Sequence, residues 1–459
     1  MGRMPGGTAG RGWGLPRIHA SNCRAGAYSV QGGRRRVFGM RLNSALTMFC
    51  RACAVGLALS VATTGIAAPT TTAGVTPAAP FKAPYTPTAD DVVLQDVPSA
   101  SDPAVRQMRH LRGELDADAG NVAIAQQLAQ AYIDYGRQIG DAHYAGYAEA
   151  VLAPWLLEAS PPAAVSVEYA TILQYRHQFA ESRRELKRAL EADPHNTQAW
   201  LTLATLDMVQ GDYDTAGRDC SQLAANGGYI LDVACTGNLR SYIGQAQQSL
   251  QLLTHIDSQA KALPAAFRSW LQGLLAESAE RLGDWAQAET HYRKALALTP
   301  EDNFLLVSYA DFLLDRARPA EVLTLLANSS QSDTAFLRLA LAKAALHSPD
   351  LPLYTWIMGA RFAALTQRGS DYFGREQVRF ALYLQHDPQA ALDMAKRNWE
   401  VQRAPWDARV FLEAAEAARQ PRAAAPVIAF LQKTKLQDPF IESFTQRIEA
   451  ELKSPAVAP

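Results

Sequence analysis

From about residue 105 to residue 453, apolar side chains recur at intervals of three and four positions, with polar side chains between them. Because an α-helix repeats every 3.6 residues, this spacing collects the apolar residues on one helix face. Alanine, leucine, glutamine, glutamate and arginine, which favour helices, dominate the region, and no alternating strand pattern persists. The pattern therefore predicts an all-α fold.

Similar residues also return at a period of 34 positions in the middle of the chain. A shift of 34 leads from a unit that begins at residue 163 to one at 197, and from a unit at 269 to one at 303. Ala204 and Ala276 occupy the same place in their units, and the motifs GDY (211–213) and GDW (283–285) fall between the two helices. Such self-similarity is typical of repeat architectures.

These units resemble the tetratricopeptide repeat, a helix–turn–helix of 34 residues. The resemblance implies a right-handed superhelical solenoid, because one helix pair cannot bury its own apolar faces and several must stack. Looser units lie between the clear ones and on both sides of them. They are 122–162, 231–268, 336–345 with 353–367, 372–385 with 388–402, 406–418 with 423–434, and a closing helix 439–452. We expect about nine helix pairs within residues 105–453, followed by a disordered tail, 454–459.

The first 104 residues are predicted to lie outside the solenoid. The apolar run 52–62 follows Arg41 and Arg51, and its eleven residues would rise only about 16 Å as a helix, too little for a bilayer core of about 30 Å. The run therefore predicts a secretory signal peptide over 40–68, which leaves 1–39 as mis-assigned upstream sequence. A partial twin-arginine signal at 35–38 is the alternative. Residues 69–104, rich in proline, threonine and alanine, predict a disordered linker.

Charge and motif content exclude several function classes. Residues 1–68 hold nine of the 44 basic residues and no acid, so the remaining chain carries 35 bases against 45 acids, a net charge of about −10. That balance disfavours nucleic-acid binding. No hydrolase, phosphate-loop, calcium-loop or zinc motif is found in the sequence. We therefore expect no enzyme activity, no cofactor and no metal site.

Two cysteines, Cys220 and Cys235, follow the predicted leader. In an oxidising compartment they would form a disulfide, which the repeat register allows because they fall on neighbouring helices. The alternative is a pair of buried free thiols. At helical spacing, the tryptophans Trp356, Trp399 and Trp406, with Phe373, are expected to be core residues and not a ligand cage.

The resemblance also implies a concave groove lined by the first helix of each repeat. Its expected lining residues are Thr171, Gln174, Tyr175, Gln198, Thr205, Met208, Glu277, Glu280, Arg281, Asp311 and Asp315. Relatives that clamp a peptide carboxylate place Lys and Asn where this chain has Val167, Thr171 and Leu201, so that function is not supported. An extended peptide or a helix fits the expected groove better.

The predicted function is a periplasmic or secreted scaffold for protein–protein interaction, in the assembly or regulation of an envelope complex. Its partner would be another protein, with no nucleic acid and no transmembrane anchor after signal cleavage. A receptor for a solute or other ligand, or a cryptic enzyme that uses a pocket of the solenoid, is the alternative.

Overall fold

A computed structural model describes residues 99–226, 228–367 and 374–453 of the chain. All of them belong to one compact unit, Pro87–Pro459. The predicted upstream sequence, the signal peptide, most of the linker and the tail lie outside the described residues. No helix among the described residues is both long and apolar enough to cross a bilayer.

Twenty α-helices and two short 3₁₀ segments account for the regular structure of the described residues. The α-helices are α1 Pro103–Ala117, α2 Val122–Ile139, α3 His143–Leu156, α4 Ala163–Tyr175, α5 Phe179–Ala192, α6 Thr197–Gln210, α7 Tyr213–Ala225, α8 Tyr229–Tyr242, α9 Ala246–Gln259, α10 Ala265–Arg281, α11 Trp285–Leu298, α12 Asn303–Asp315, α13 Pro319–Leu325, α14 Asp333–Ala345, α15 Leu351–Gln367, α16 Gly374–Tyr383, α17 Pro388–Val401, α18 Pro405–Ala417, α19 Ala425–Thr434 and α20 Pro439–Lys453. Helices α2 to α19 form nine consecutive pairs, flanked by α1 and α20. The prediction of an all-α stack of about nine pairs is confirmed.

The turn inside each pair has one residue in the left-handed backbone conformation. These residues are Gly140, His177, Gly211, Gly244, Gly283, Ala317, His347, His386 and Arg419. In most of these turns, the next N–H returns to a carbonyl five residues earlier, as from Asp212 to Asp207 at 2.9 Å. This hydrogen bond satisfies a carbonyl that the helix end leaves open and turns the chain back on itself.

Polar caps determine where several helices begin. The side chains of Asn196 and Asp302 accept hydrogen bonds from the third following N–H, at 2.9 and 3.1 Å. Asp212 and Asp284, the central residues of the GDY and GDW motifs, do the same at 3.2 and 3.0 Å. The motifs therefore combine the end of one helix with the start of the next.

Small residues allow the paired helices to approach closely. Ala204, Ala216, Ala276 and Ala288 are fully buried. Aromatic rings fill the space between successive pairs, and Tyr292, for example, is only 2 % exposed. The residues that recur in each repeat are therefore the ones that pack its helices together.

The expectation that the three tryptophans Trp356, Trp399 and Trp406 lie in the core holds for two of them. Trp399 is buried in the C-terminal core and Trp406 is half-buried against it. The core prediction is wrong for Trp356, whose ring is 71 % exposed on α15. Phe373 lies outside the described residues.

The even-numbered helices pack against one another in order from α2 to α10 and from α12 to α18. Between these two runs, Ala276 of α10 and Ala310 of α12 belong to one apolar cluster. We call the surface that these helices present the inner face. Helices α16 to α20 have their own apolar core, which includes Val378, Trp399, Phe411 and Ile448. These C-terminal helices contact turns far earlier in the chain, and the Phe430 ring, for example, lies 5.9 Å from that of Tyr213.

Candidate functional site

All the side chains expected to line the groove lie on four even-numbered helices, α4, α6, α10 and α12. Their environments differ sharply between the C-terminal and N-terminal parts of the stack.

The inner face at α12, α14 and α16 is filled by a buried ion cluster. Asp311 on α12 accepts hydrogen bonds from Arg338 on α14, at 2.7 and 3.0 Å, and from Arg379 on α16, at 2.8 Å. Arg338 also pairs with Glu376. All four side chains are at most 8 % exposed. Burial opposes ionisation of Asp311, but the two arginines hold the pKa of its carboxyl well below the usual range.

A second set of ion pairs closes the inner face between α12 and α18. Arg409 donates to both carboxylate oxygens of Asp315, at 2.6 and 2.7 Å, and also to Glu413 at 2.8 Å. The hydroxyl of Tyr383 donates to Glu413 at 2.7 Å. Since α12 and α18 are separated by two intervening even-numbered helices, the inner face must curve tightly here. Asp311 and Asp315 are therefore committed to internal pairs.

Of the three expected groove residues of α10, Arg281 lies in the same closed region, whereas Glu277 and Glu280 are half-buried. Arg281 is 8 % exposed, pairs with Glu277 at 3.6 Å and lies over the Tyr242 ring at 4.9 Å. Burial raises the pKa of Glu280 to about 8. Arg281 Nε and Glu280 Oε1 have no hydrogen-bond partner among the described residues. We call the inner surface of α10 to α18 the closed inner face.

Two of the expected groove residues on α4 and α6 are buried. The Thr171 hydroxyl donates to the Val167 carbonyl at 3.0 Å. Met208 is 2 % exposed and packs with Tyr213 and Cys220 in the core. These two side chains pack within the repeats and are not accessible to a partner.

The remaining four side chains of α4 and α6 are accessible. Gln198 is exposed, and Gln174, Tyr175 and Thr205 are half-buried. All four are uncharged, and the amides of Gln174 and Gln198 can hydrogen-bond to a polypeptide backbone. The Thr205 hydroxyl donates to the Leu201 carbonyl at 2.8 Å, and its oxygen can still accept a hydrogen bond. We call these four residues the open inner face.

A disulfide joins α7 and α8 beside this surface. It links Cys220 and Cys235, whose Cα atoms are 5.6 Å apart. Both cysteines are essentially buried, in a cluster with Ala204 and Leu239. The bridge therefore fixes two neighbouring repeats in the middle of the stack.

A polar cleft of about 550 Å³ lies on the odd-numbered side of the stack, between α9 and α11. Gln272 donates to Asp257 at 2.7 Å and accepts from His291 Nδ1, also at 2.7 Å. Burial lowers the pKa of His291, which keeps the ring neutral and leaves Nε2 as an acceptor. Lys294 and Thr290 also line this cleft. Within the described ranges, no three or more His, Cys, Asp or Glu side chains are grouped to hold a metal ion.

Sequence reasoning missed Arg338, which is the centre of the buried ion cluster. The one signal was a lone arginine within the apolar run 335–342 of α14. An unpaired charge at such a place would be costly, so its presence indicates buried acidic partners. The partners themselves come from helices 27 and 38 positions away.

Comparisons with known proteins agree with the repeat architecture. Two tetratricopeptide-repeat family models match residues 174–223, from the end of α4 through most of α7, and residues 271–302, across α10 and α11. The chain thus contains tetratricopeptide repeats. A search of curated proteins finds no match.

Similar solved structures are distant in sequence. A tetratricopeptide-repeat protein from Parabacteroides merdae is 12 % identical, with a TM-score of 0.33, over 68 % of this chain and 99 % of that one. The Cut9–Hcn1 hetero-tetramer of the APC/C is 12 % identical, with a TM-score of 0.36, over 77 % and 89 %. The P58(IPK) TPR domain is 13 % identical, with a TM-score of 0.19, over 77 % and 95 %.

Proposed function

We propose that this tetratricopeptide-repeat protein is an interaction scaffold that holds a segment of another protein against its open inner face. The repeats themselves indicate a protein partner. The observation that supports binding at the open inner face is a difference in the exposure and pairing of side chains between the two parts of the inner face. On the closed inner face Asp311, Asp315 and Arg281 are buried or internally paired, whereas Gln174, Gln198 and Thr205 are accessible.

The chemistry of the open inner face favours an extended peptide or a helix with polar contacts. Amide and hydroxyl groups bond the N–H and C=O groups that any polypeptide presents, and the Tyr175 ring adds apolar contact area. Because regular helices position these side chains, little conformational freedom is lost when a partner binds. The mechanism is therefore display of a preformed surface, with no chemical step.

We also propose that the protein acts after export, in the periplasm or outside the cell, in the assembly or regulation of an envelope complex. The Cys220–Cys235 disulfide supports this location, because disulfides persist in oxidising compartments. Alkylation of thiols under denaturing conditions, in protein taken directly from its native compartment, tests it. We expect both cysteines to resist alkylation in the denatured chain until a reductant is added, and labelling of both without reductant would contradict export.

Site-specific photo-crosslinking tests the binding surface. A benzoylphenylalanine at Gln198, on the open inner face, should crosslink one partner in envelope extract. The same group at Arg184 on α5, whose side chain is 69 % exposed, is the matched control and should not. Excess unlabelled protein should abolish the crosslink, whereas a Thr205→Arg variant should compete poorly. Equal crosslinking at both positions, or equal competition by Thr205→Arg, would overturn the proposed surface.

The cleft around His291 is the observation that favours a second candidate function, binding of a small polar solute. A neutral imidazole acceptor next to Lys294 and Thr290 would suit a ligand with hydroxyl or amide donors. A thermal-shift screen of polar metabolites separates the two functions. Stabilisation that is lost in His291→Ala would favour the solute receptor.

A further inference from the structure

The polar cleft between α9 and α11 is bordered by three side chains that come from three helices. Asp257 lies on α9, Gln272 on α10 and His291 on α11. Gln272 is 4 % exposed and His291 is 7 % exposed. Gln272 Nε2 donates to Asp257 at 2.7 Å, and Gln272 Oε1 lies 2.7 Å from His291 Nδ1. The three side chains therefore form one hydrogen-bonded chain, largely buried, that ends at the His291 ring.

One arrangement of hydrogens satisfies this chain. A carboxylate oxygen can only accept, so Asp257 must face the NH₂ group of the Gln272 amide. The Gln272 carbonyl oxygen then faces His291, and Nδ1 must carry the proton that it donates. In the neutral ring Nε2 is therefore an acceptor. Since Nδ1 is turned to the interior, the opposite edge of the ring, with Nε2, is the part that lines the cleft.

Charged side chains of both signs surround this imidazole. Burial and, less strongly, Lys294 lower the pKa of His291, and the opposing effects of Asp257 and Asp284 are smaller still. Lys294 is exposed, one turn beyond His291 on α11, and pairs with no acid among the described residues. One oxygen of Asp284 accepts from the Gln287 N–H at 3.0 Å. The cleft thus presents an unpaired cation, a neutral acceptor and two carboxylates.

This set of groups matches a molecule that carries a carboxylate and an ammonium group close together. The Lys294 ammonium would bind the carboxylate, and His291 Nε2 would accept from the ammonium group, which Asp257 attracts. His291 and Lys294 are three residues apart on one helix, so their Cβ atoms lie about 5–6 Å apart, which suits two groups on one carbon atom. A neutral sugar would leave the charge of Lys294 unmatched.

The size of the cleft also suits such a molecule. Its volume of about 550 Å³ lies within the range of small-molecule sites, about 300–1,000 Å³. The buried Gln272 holds the His291 ring in place before any ligand arrives, so little freedom of that side chain is lost on binding.

We propose that this cleft binds a free amino acid, with Lys294 on its carboxylate and His291 Nε2 on its ammonium group. Gln272 and Asp257 are positioning residues, which fix the proton of His291 on Nδ1. The proposal rests on the second candidate function, binding of a small polar solute, and names the class of solute. The open inner face lies on α4 and α6, so the scaffold function does not depend on this site.

Thermal-shift measurements on the full-length chain with each of the common amino acids test the ligand class. We expect at least one of them, at millimolar concentration, to raise the thermal midpoint by about 1–2 °C or more. His291→Ala and Lys294→Ala should each abolish the shift. Lys187→Ala, which removes an exposed lysine from α5, is the matched control and should retain it. Because Lys294 is also exposed, its variant covers the case in which His291→Ala does not fold.

Calorimetric titration with derivatives of that amino acid tests the two contacts. The carboxamide lacks the carboxylate and the N-trimethyl form lacks the N–H donors, so each should bind at least about tenfold more weakly. A chain that no amino acid stabilises would overturn the proposal. A sugar that stabilises the chain through His291 would also overturn it, but would leave solute binding in place. Crosslinking at Gln198 tests the scaffold function independently.

Nitrogen-15 NMR of histidine-labelled protein tests the positioning roles. A ring nitrogen without a proton resonates far from one that carries a proton, and the signals absent from His291→Ala identify this ring. We expect an unprotonated Nε2 in the wild-type chain and a mixture of both tautomers in Gln272→Met, whose side chain is similar in length but cannot accept strongly from Nδ1. Lys294→Ala should leave the tautomer unchanged. A wild-type ring with its proton on Nε2 would overturn the proposed contact.

Discussion

Arg409 and Asp315 form a bidentate ion pair, with nitrogen–oxygen distances of 2.6 and 2.7 Å, across 94 positions of sequence. Their side chains are only 13 % and 14 % exposed. In an open solenoid each repeat contacts its neighbours, yet this pair joins the sixth helix pair to the ninth. Together with the bond from the Arg403 N–H to the Val209 carbonyl, it makes the stack close on itself.

Loss of the Arg409 guanidinium should therefore destabilise the whole unit. We expect Arg409→Ala to lower the free energy of unfolding by roughly 3–5 kcal/mol, because Asp315 would remain as an uncompensated, largely buried charge. Urea denaturation followed by circular dichroism measures this. Lys396→Ala is the control, since Lys396 and its partner Asp393 are 43 % and 48 % exposed, and it should change the stability by about 0.5 kcal/mol or less.

Replacing glycine by alanine should have opposite effects on stability at a turn and inside a helix. Gly244 has a φ of 73°, and a Cβ there would overlap the Lys435 carbonyl oxygen. Gly244→Ala should thus lose more than about 1 kcal/mol of stability. Gly113 lies within α1 with nothing within 4 Å of an added Cβ, so Gly113→Ala should gain roughly 0.5–1 kcal/mol. Equal thermal midpoints for the two variants would contradict this account.

Periodicity in the sequence predicts the helix pairs well but not the closure of the stack. The pairs from α2 to α19 follow from apolar spacing and from turn motifs such as GDY, because each pair is a local structure. The Arg409–Asp315 bond has no local signal, since repeat patterns specify packing only between neighbours. For the same reason the expected groove could not be divided into open and closed parts.

Two other features could not be predicted from the sequence, for different physical reasons. The turns at Ala317 and His347 adopt the left-handed conformation without glycine, so the usual turn signal is missing there. Helix α15 has apolar side chains on nearly all sides, so the spacing does not show that Trp356 faces outward. In both cases tertiary structure overrides the local preference.

The disulfide between Cys220 and Cys235 should contribute about 3 kcal/mol to stability, because it closes a loop between residues separated by 15 positions. Reduction should lower the thermal midpoint of the wild-type protein. Cys220→Ala/Cys235→Ala is the control, and its midpoint should not depend on the reductant. An oxidised wild-type protein whose midpoint is unchanged by reduction would show that the bridge adds nothing.

The pH dependence of stability should follow from carboxyl groups that burial keeps protonated. Burial raises the pKa of Glu280 to about 8 and, with help from Asp134, that of Glu168 to about 7, from an ordinary value of 4.5. Between pH 4.5 and 8 the folded chain therefore binds more protons than the unfolded chain does, and the free energy of unfolding falls as the pH rises. We expect a lower thermal midpoint at pH 8.5 than at pH 5.5. Glu280→Gln, which cannot ionise, should flatten this slope, and a slope as steep as that of the wild type would exclude Glu280 as its cause.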